Sequence, residues 1–188
     1  MKAKLELVEA PLRLDIACGQ AKEPGWTGID LAGDADIIHD LFVFPWPIED
    51  DSVAEARISH FVEHIPHYLP HWNGVDGWWL FFDELYRICQ PDATVDIVHP
   101  YAMSGRAFQD PTHVRYINET TWFYLDAEWR KAQTLDHYPV HCDFEAVTII
   151  GTGVDESMAN RSAETQAFGR AHYWNVVSDL GVKLRARK

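Results

Sequence analysis

Apolar residues occur along this chain in short blocks, several closed by an acidic residue. Leu12 to Ala17 is a strand-like run ending in the turn Cys18-Gly19-Gln20. Thr27-Gly28-Ile29-Asp30 is a second run that ends in a carboxylate, and Asp36-Ile37-Ile38-His39-Asp40-Leu41 is a third. Pro45-Trp46-Pro47 and Glu49-Asp50-Asp51-Ser52 make a turn-rich loop. Val53 to Ser59 then reads as a fourth strand with Ile58 in the core. From Asp76 to Cys89 the period changes: Trp78, Phe81, Phe82, Leu85, Ile88 and Cys89 recur at spacings of three and four, which predicts a helix stopped by Pro91. Thr94 to His99 is a fifth strand closed by Pro100.

Further along, Asn118 is placed to cap a short helix carrying Trp122, Phe123 and Leu125. Phe144 to Ile150 is a mostly apolar strand. Tyr173 to Leu184 alternates, with Trp174, Val176, Leu180, Val182 and Leu184 on one face, and so predicts an antiparallel strand with a wetter side. Thr152 to Arg170 is polar and reads as either a flap or a poorly ordered excursion. Strands interleaved with helices and closed by a strand pair predict a three-layer α/β sheet of doubly wound type.

Composition narrows the classes. A chain of 188 residues, 47% hydrophobic with eight Trp, predicts one domain over residues 1–188 with a substantial core. No apolar run approaches the ~20 residues that span a bilayer, and Met1-Lys2-Ala3-Lys4 lacks an apolar signal core, so a cytoplasmic protein with no membrane partner is expected. Cys18, Cys89 and Cys142 are odd in number and far apart, which predicts reduced thiols. A net charge of −13 argues against a nucleic-acid partner, and the basic tail Lys183, Arg185, Arg187, Lys188 reads as a solvated end.

Carboxylates at the carboxyl ends of successive strands lie where open α/β sheets bind ligands, and they suit ribose hydroxyls or an adenine amino group. A dinucleotide site also needs a glycine-rich turn feeding a helix whose amino terminus receives the phosphates. Here the turn has one glycine, Gly19, and Gly19 to Trp26 is shorter than a crossover helix of ~10–12 residues. That counts against NAD and nucleoside triphosphates and leaves adenosine without phosphate, of which S-adenosylmethionine is the common form.

Asp15-Ile16-Ala17-Cys18-Gly19 with Pro24-Gly25-Trp26-Thr27-Gly28-Ile29-Asp30 resembles the glycine turn and acidic strand end of class I S-adenosylmethionine-dependent methyltransferases. The likeness is to a short-crossover branch related to the methyltransferase type 11 group. It continues through Ala35 to Leu41, Phe44-Pro45-Trp46-Pro47, Ser59 to Ile65, Glu84-Leu85-Tyr86-Arg87 and Asp110-Pro111-Thr112-His113-Val114-Arg115. Ala17 stands where that superfamily often has glycine, and Gln20-Ala21 where a second glycine is usual.

The resemblance implies a Rossmann-like seven-stranded sheet, mostly parallel with an antiparallel last strand and a first crossover helix reduced or absent. It implies S-adenosylmethionine as cofactor. The backbone of Ala17, Cys18 and Gly19 would line the methionine and ribose region, Asp30 would hold the ribose hydroxyls, Asp40 the adenine amino group and the Leu41 amide a ring nitrogen. Asp15 and Leu31 belong to the same set, and Ser59 and His60 would face the methionine end.

For catalysis, His113 is the general-base candidate because imidazole titrates near neutrality, with Asp110 and His64 beside it; Asp110 and His113 read equally as loop staples. The acceptor expected is a small molecule, a glycan or a polypeptide, the first two foremost. His60, His64, His67 and His71 have helical spacing, yet Pro66 and Pro70 interrupt any helix, so they read as pocket or surface residues and no metal is assigned. Two alternatives stay open: a non-catalytic binding or accessory protein with this fold, and a metal-dependent enzyme using His60, His64 and His67.

Overall fold

The structure, a computed structural model, describes residues 11–188. Seven strands form one sheet: β1 (Leu12–Ile16), β2 (Thr27–Asp30), β3 (Ile37–Ile38), β4 (Val53–Ser59), β5 (Cys89–Pro100), β6 (Phe144–Val154) and β7 (Val177–Ala186). Their spatial order is β3-β2-β1-β4-β5-β7-β6. The first five run parallel, and β7 is antiparallel to both neighbours. This is the Rossmann-like α/β sheet expected, with its antiparallel last strand. Gly19–Trp26 holds no helix, so the first crossover is a loop, as its length requires.

Helix α1 (Gly77–Ile88) connects β4 to β5, and the Asp76 side chain caps it by accepting from the Trp78 N–H at 2.7 Å. Its apolar stripe of Phe81, Phe82, Leu85 and Ile88 is fully buried. Sheet register supplies the facing surface. Leu14, Ala56, Val95 and Leu184 lie abreast on adjacent strands, as do Ile16, Ile58, Ile97 and Val182. All of them join α1 in one buried cluster, where each large side chain contributes roughly 1.5–3 kcal/mol.

The other face carries charge in register. Asp15, Arg57, Asp96 and Lys183 form one cross-strand row, and Arg13, Glu55, Thr94, Arg185 and Glu145 form the next. Signs alternate along both rows, and Arg13–Glu55, Arg57–Asp15, Lys183–Asp96 and Arg185–Glu145 pair as ions. The exposed pairs contribute little each, Asp15 alone being buried, but the alternation keeps like charges from sitting opposite one another.

Three local outcomes differ from the expected pattern. β3 is only two residues long, because Asp40 turns the chain through a bond from the Phe42 N–H to its Oδ1 at 2.9 Å. β5 begins at Cys89 and runs through Pro91, with Asp92 in left-handed backbone (φ 62°). The short helix capped by Asn118 is a 3-10 helix, Glu119–Leu125, closed by a capping box with Thr121. Helix α2 (Arg106–Gln109) precedes it, and α3 (Ala127–Ala132) and α4 (Glu156–Ala159) come after it. The polar stretch Thr152–Arg170 is largely helical, in α4 and in α5 (Ala163–His172), each started by a capping side chain, Asp155 or Ser162. Among the described residues no helix is long and apolar enough to cross a membrane.

Candidate functional site

Strand order reverses between β1 and β4, the point in open α/β sheets where ligands gather outside the carboxyl ends. Both strands end there in left-handed backbone, at Ala17 (φ 56°) and His60 (φ 52°). For a residue with a Cβ that conformation costs roughly 1–2 kcal/mol, which the structure offsets by fixing each amide: the Ala17 N–H donates to Ile29 O at 2.9 Å and the His60 N–H to Val98 O at 2.8 Å.

On the β1 side, Gly19 is also left-handed (φ 54°), and a Cβ added to it would meet nothing within 4 Å. Bare peptide therefore faces open space. The Gly19 N–H donates to Asp30 Oδ2 at 2.9 Å, while Asp30 Oδ1 accepts from Ala32 N–H at 3.2 Å. The following loop folds tightly against this turn: a Cβ on Gly33 would fall 2.3 Å from the Gly19 carbonyl oxygen. Leu31 is 65% exposed in that loop. Leu41 is buried, and its carbonyl accepts from the Trp46 indole at 3.1 Å. Burial, with Asp15 and Asp30 nearby, pushes the Cys18 thiol above its ordinary pKa. Asp15 is buried too, and it faces the charged side of the sheet: its Oδ2 accepts from the Glu23 N–H at 2.7 Å, tying the crossover loop to β1.

On the β4 side, Ser59 is exposed at the strand end and a 3-10 turn, Val62–His64, follows. Two segments about fifty residues apart pack here as one unit. The Val114 and Arg115 N–H groups both donate to Glu63 O, and the Arg115 guanidinium donates to Ile65 O, Pro66 O and Asp76. His113 Nδ1 lies 3.0 Å from Ala107 O, an acceptor only, so the proton sits on Nδ1 and the Nε2 lone pair is free. His64 Nδ1 lies 3.1 Å from Thr112 Oγ1 and 3.3 Å from Thr112 O. The two imidazole rings meet edge to face at 4.8 Å. Asp110 Oδ1 accepts from the Thr112 hydroxyl and N–H, bonds that hold its carboxyl below the ordinary carboxylate range, and Oδ2 stands 3.9 Å from His113 Nε2. His113, Asp110 and His64 are thus brought together across Thr112.

The histidine series divides. His60 and His64 stay beside Glu63, whereas His67 turns away to Asp76 Oδ2 at 3.1 Å and Val114 O at 3.0 Å. Two buried groups at this rim lay outside the candidate site residues. Glu63 is 1% exposed, and neither carboxylate oxygen has a hydrogen-bond partner. His99, at the end of β5, donates from Nδ1 to Pro100 O at 2.8 Å, leaves Nε2 unpartnered, and is held by burial at a pKa of about 4. The spacing His60-x-x-Glu63-His64 signals a carboxylate among imidazoles; its burial is a product of the fold. A cavity of about 420 Å³ opens next to this unit, walled by Trp78, Trp79, Tyr116, Tyr124 and Arg115. The Glu84-Leu85-Tyr86-Arg87 motif is structural: Arg87 binds Glu84, Asp50 and the carbonyls of Trp46 and Ile48.

No family model and no curated protein matches the chain. Solved structures do. A SAM-dependent methyltransferase from Archaeoglobus fulgidus superposes with a TM-score of 0.61 at 18% identity, over 94% of this chain and 86% of its own. A SAM-dependent methyltransferase from Methanosarcina mazei gives 0.55 at 14%, over 94% and 92%. The [4+2]-cyclase SpnF gives 0.53 at 12%, over 96% and 76%. The chain therefore has the fold of the SAM-dependent methyltransferases, a fold that also carries a cyclase.

Proposed function

We propose that this protein is an S-adenosylmethionine-dependent methyltransferase whose cofactor occupies the cleft at the β1/β4 switch point. The observation that carries this reading is the open bare peptide at Gly19, held by Asp30 at the end of β2, with Asp40 following β3 and no helix in the first crossover to hold a phosphate. When bound, the cofactor supplies a methyl group already activated on a sulfonium.

The residues present fit such a ligand. A carboxylate offers about four acceptor positions, so Asp30 and Asp40 keep free lone pairs for ribose hydroxyls and the adenine amino group after serving their backbone amides. Exposed Leu31 supplies an apolar platform, the Leu41 amide a donor, and Ala17, Cys18 and Gly19 the peptide wall. Ser59 and His60 end β4 on the methionine side. Asp15 acts through the loop it ties down. Most rate enhancement for such a transfer comes from alignment and exclusion of water. For a hydroxyl acceptor, the free Nε2 lone pair of His113 is the base, with the Ala107 carbonyl orienting its ring and Asp110 and His64 beside it. A small-molecule or glycan acceptor suits the aromatic cavity beside Arg115.

Calorimetric titration of the full chain with S-adenosylmethionine and S-adenosylhomocysteine is the test. One equivalent of each should bind, and Asp30→Ala with Asp40→Ala should weaken binding by ~100-fold or more, two charge-assisted bonds each contributing about 1.5 kcal/mol. Folded protein that binds neither compound, or a double variant with unchanged affinity, overturns the reading.

A further inference from the structure

A buried carboxylate with no hydrogen bond is unusual, because leaving a charge unsatisfied in the interior is costly. Glu63 is such a group, and its surroundings have a consistent chemistry. His113 Nε2 stands 4.0 Å from Glu63 Oε1, with no proton between them when the imidazole is neutral, since Nδ1–H is committed to Ala107 O. His64 is arranged the same way: Nδ1 is engaged by Thr112, which leaves the other nitrogen bare. The donor atoms of Glu63, His64 and His113 all lie within 4.8 Å of one another. Histidines that bind metals nearly always donate their second N–H to a carbonyl or similar acceptor, which fixes the tautomer and the ring. Here both imidazoles have that support in place, and Thr112 is itself held by Asp110.

From these contacts we infer that Glu63, His64 and His113 bind a divalent first-row transition ion, with Zn²⁺ as the reference case. Two imidazoles and one carboxylate suit zinc, iron(II) or manganese better than a hard ion such as magnesium, which prefers oxygen ligands and water. Tetrahedral coordination with bonds of ~2.0–2.1 Å holds donors about 3.4 Å apart, so small side-chain rotations close the set. Three protein ligands leave a fourth position for water or an oxygen of an acceptor, the pattern of catalytic rather than structural sites. The site shares only His64 with the His60, His64 and His67 alternative: Glu63 and His113 complete it, and His60 and His67 lie outside it. This inference does not rest on the cofactor reading, since the ligands lie outside the β1–β3 stretch; an ion on His113 Nε2 would take the lone pair assigned above to a general base, so these two roles of His113 are alternatives.

The test is metal uptake by the full untagged chain without cofactor. Protein stripped with a chelator would be titrated with Zn²⁺ against a chromophoric competitor, and with Co²⁺ followed by its visible ligand-field bands. One equivalent should bind. Glu63→Gln, His113→Asn and His64→Asn should each weaken binding by more than the ~10–100-fold that outer-shell partners cost, while His67→Asn leaves it unchanged. Having three separate ligand variants keeps the test decisive should one of them fail to fold. Wild-type protein that takes up neither ion, or ligand variants that bind like wild type, overturns the inference. Either outcome leaves the calorimetric result with S-adenosylmethionine standing on its own.

Discussion

The two halves of the strand-end rim satisfy their polar groups in different ways. The β1–β3 half comes from one continuous stretch, residues 15–41, and its carboxylates already serve nearby amides: Asp30 those of Gly19 and Ala32, Asp40 that of Phe42. It keeps its shape without a ligand and still presents spare lone pairs. The β4–β5 half is assembled from residues 60–67 and 107–115, joined through the Glu63 carbonyl and Arg115, and it centres on a carboxylate with no hydrogen bond at all. The first half is a preformed cradle. The second holds a buried carboxylate that imidazoles approach without a hydrogen bond, which is why the adenosine end of the cofactor is assigned to one half and a metal ion to the other.

The largest expected effect comes from removing the brace of the second half. Arg115 is largely buried and bonds Ile65 O, Pro66 O and Asp76 at once, with its guanidinium stacked over Trp78 at 5.4 Å. Arg115→Ala strands those acceptors. Breaking a buried pair costs 3–5 kcal/mol, and the partial exposure of Asp76 puts this one near about 3 kcal/mol. Urea unfolding measures it. Cofactor affinity, measured where the variant is still folded, should stay close to wild type if the halves are independent; a parallel collapse of both would erase the distinction.

Acid should expose the same contrast through His99. Burial first, and His60 to a lesser degree, lower its pKa from 6.5 to about 4, against the Pro100 carbonyl, Glu63 and Asp179, which raise it. Between those values the unfolded chain binds the proton and the folded chain does not, so this contribution to stability is complete above about pH 6.5 and is lost as pH falls toward 4. A shift of that size corresponds to about 3 kcal/mol. Urea midpoints compared at pH 7 and pH 4.5 should show the loss, and His99→Gln should flatten it. An unchanged pH dependence in that variant would mean His99 is not the group responsible.

How much of this was legible in the chain follows from how local each feature is. The Gly19 turn, Asp30 and Asp40 are set by neighbours a few residues away, and the short first crossover by a bare residue count, so pattern and spacing reach them. Helix α1 announces itself through its stripe and its Asp76 cap. β3 falls short because an Asx turn at Asp40 competes with the strand, and the caps at Asp155 and Ser162 that start α4 and α5 are masked by a polar surface. The charged rows were written in the alternation of Arg13 and Asp15 with Leu12, Leu14 and Ile16: a parallel sheet buried on both faces reads as a continuous apolar run instead. Glu63 is a different matter. Its burial depends on residues 113–115 folding over it, a contact no local pattern contains. The same holds for the exchange of His67 for His113, since imidazoles at helical spacing meet only if a helix is present, and Pro66 prevents one.

The smallest effect sharpens the comparison from the cradle side. A Cβ on Gly28 would fall 2.8 Å from Cys18 Sγ and 2.7 Å from Lys22 Cδ. The Lys22 stem is held by its ammonium on Asp36, and Cys18 is buried in the turn that carries Gly19, so neither gives way easily. Gly28→Ala should therefore cost about 1–2 kcal/mol by overpacking and distort the peptide wall, so cofactor affinity falls along with the urea midpoint. Cys18→Ala in the same chain removes the clashing sulfur and should restore most of both. Metal uptake at Glu63, His64 and His113 should not change in either variant, because the clash lies between β1 and β2 and those ligands follow β4 and β5. If the Gly28 change left cofactor affinity intact while lowering stability, the turn would be a packing element only, and the wall facing adenosine would have to be sought elsewhere on the rim.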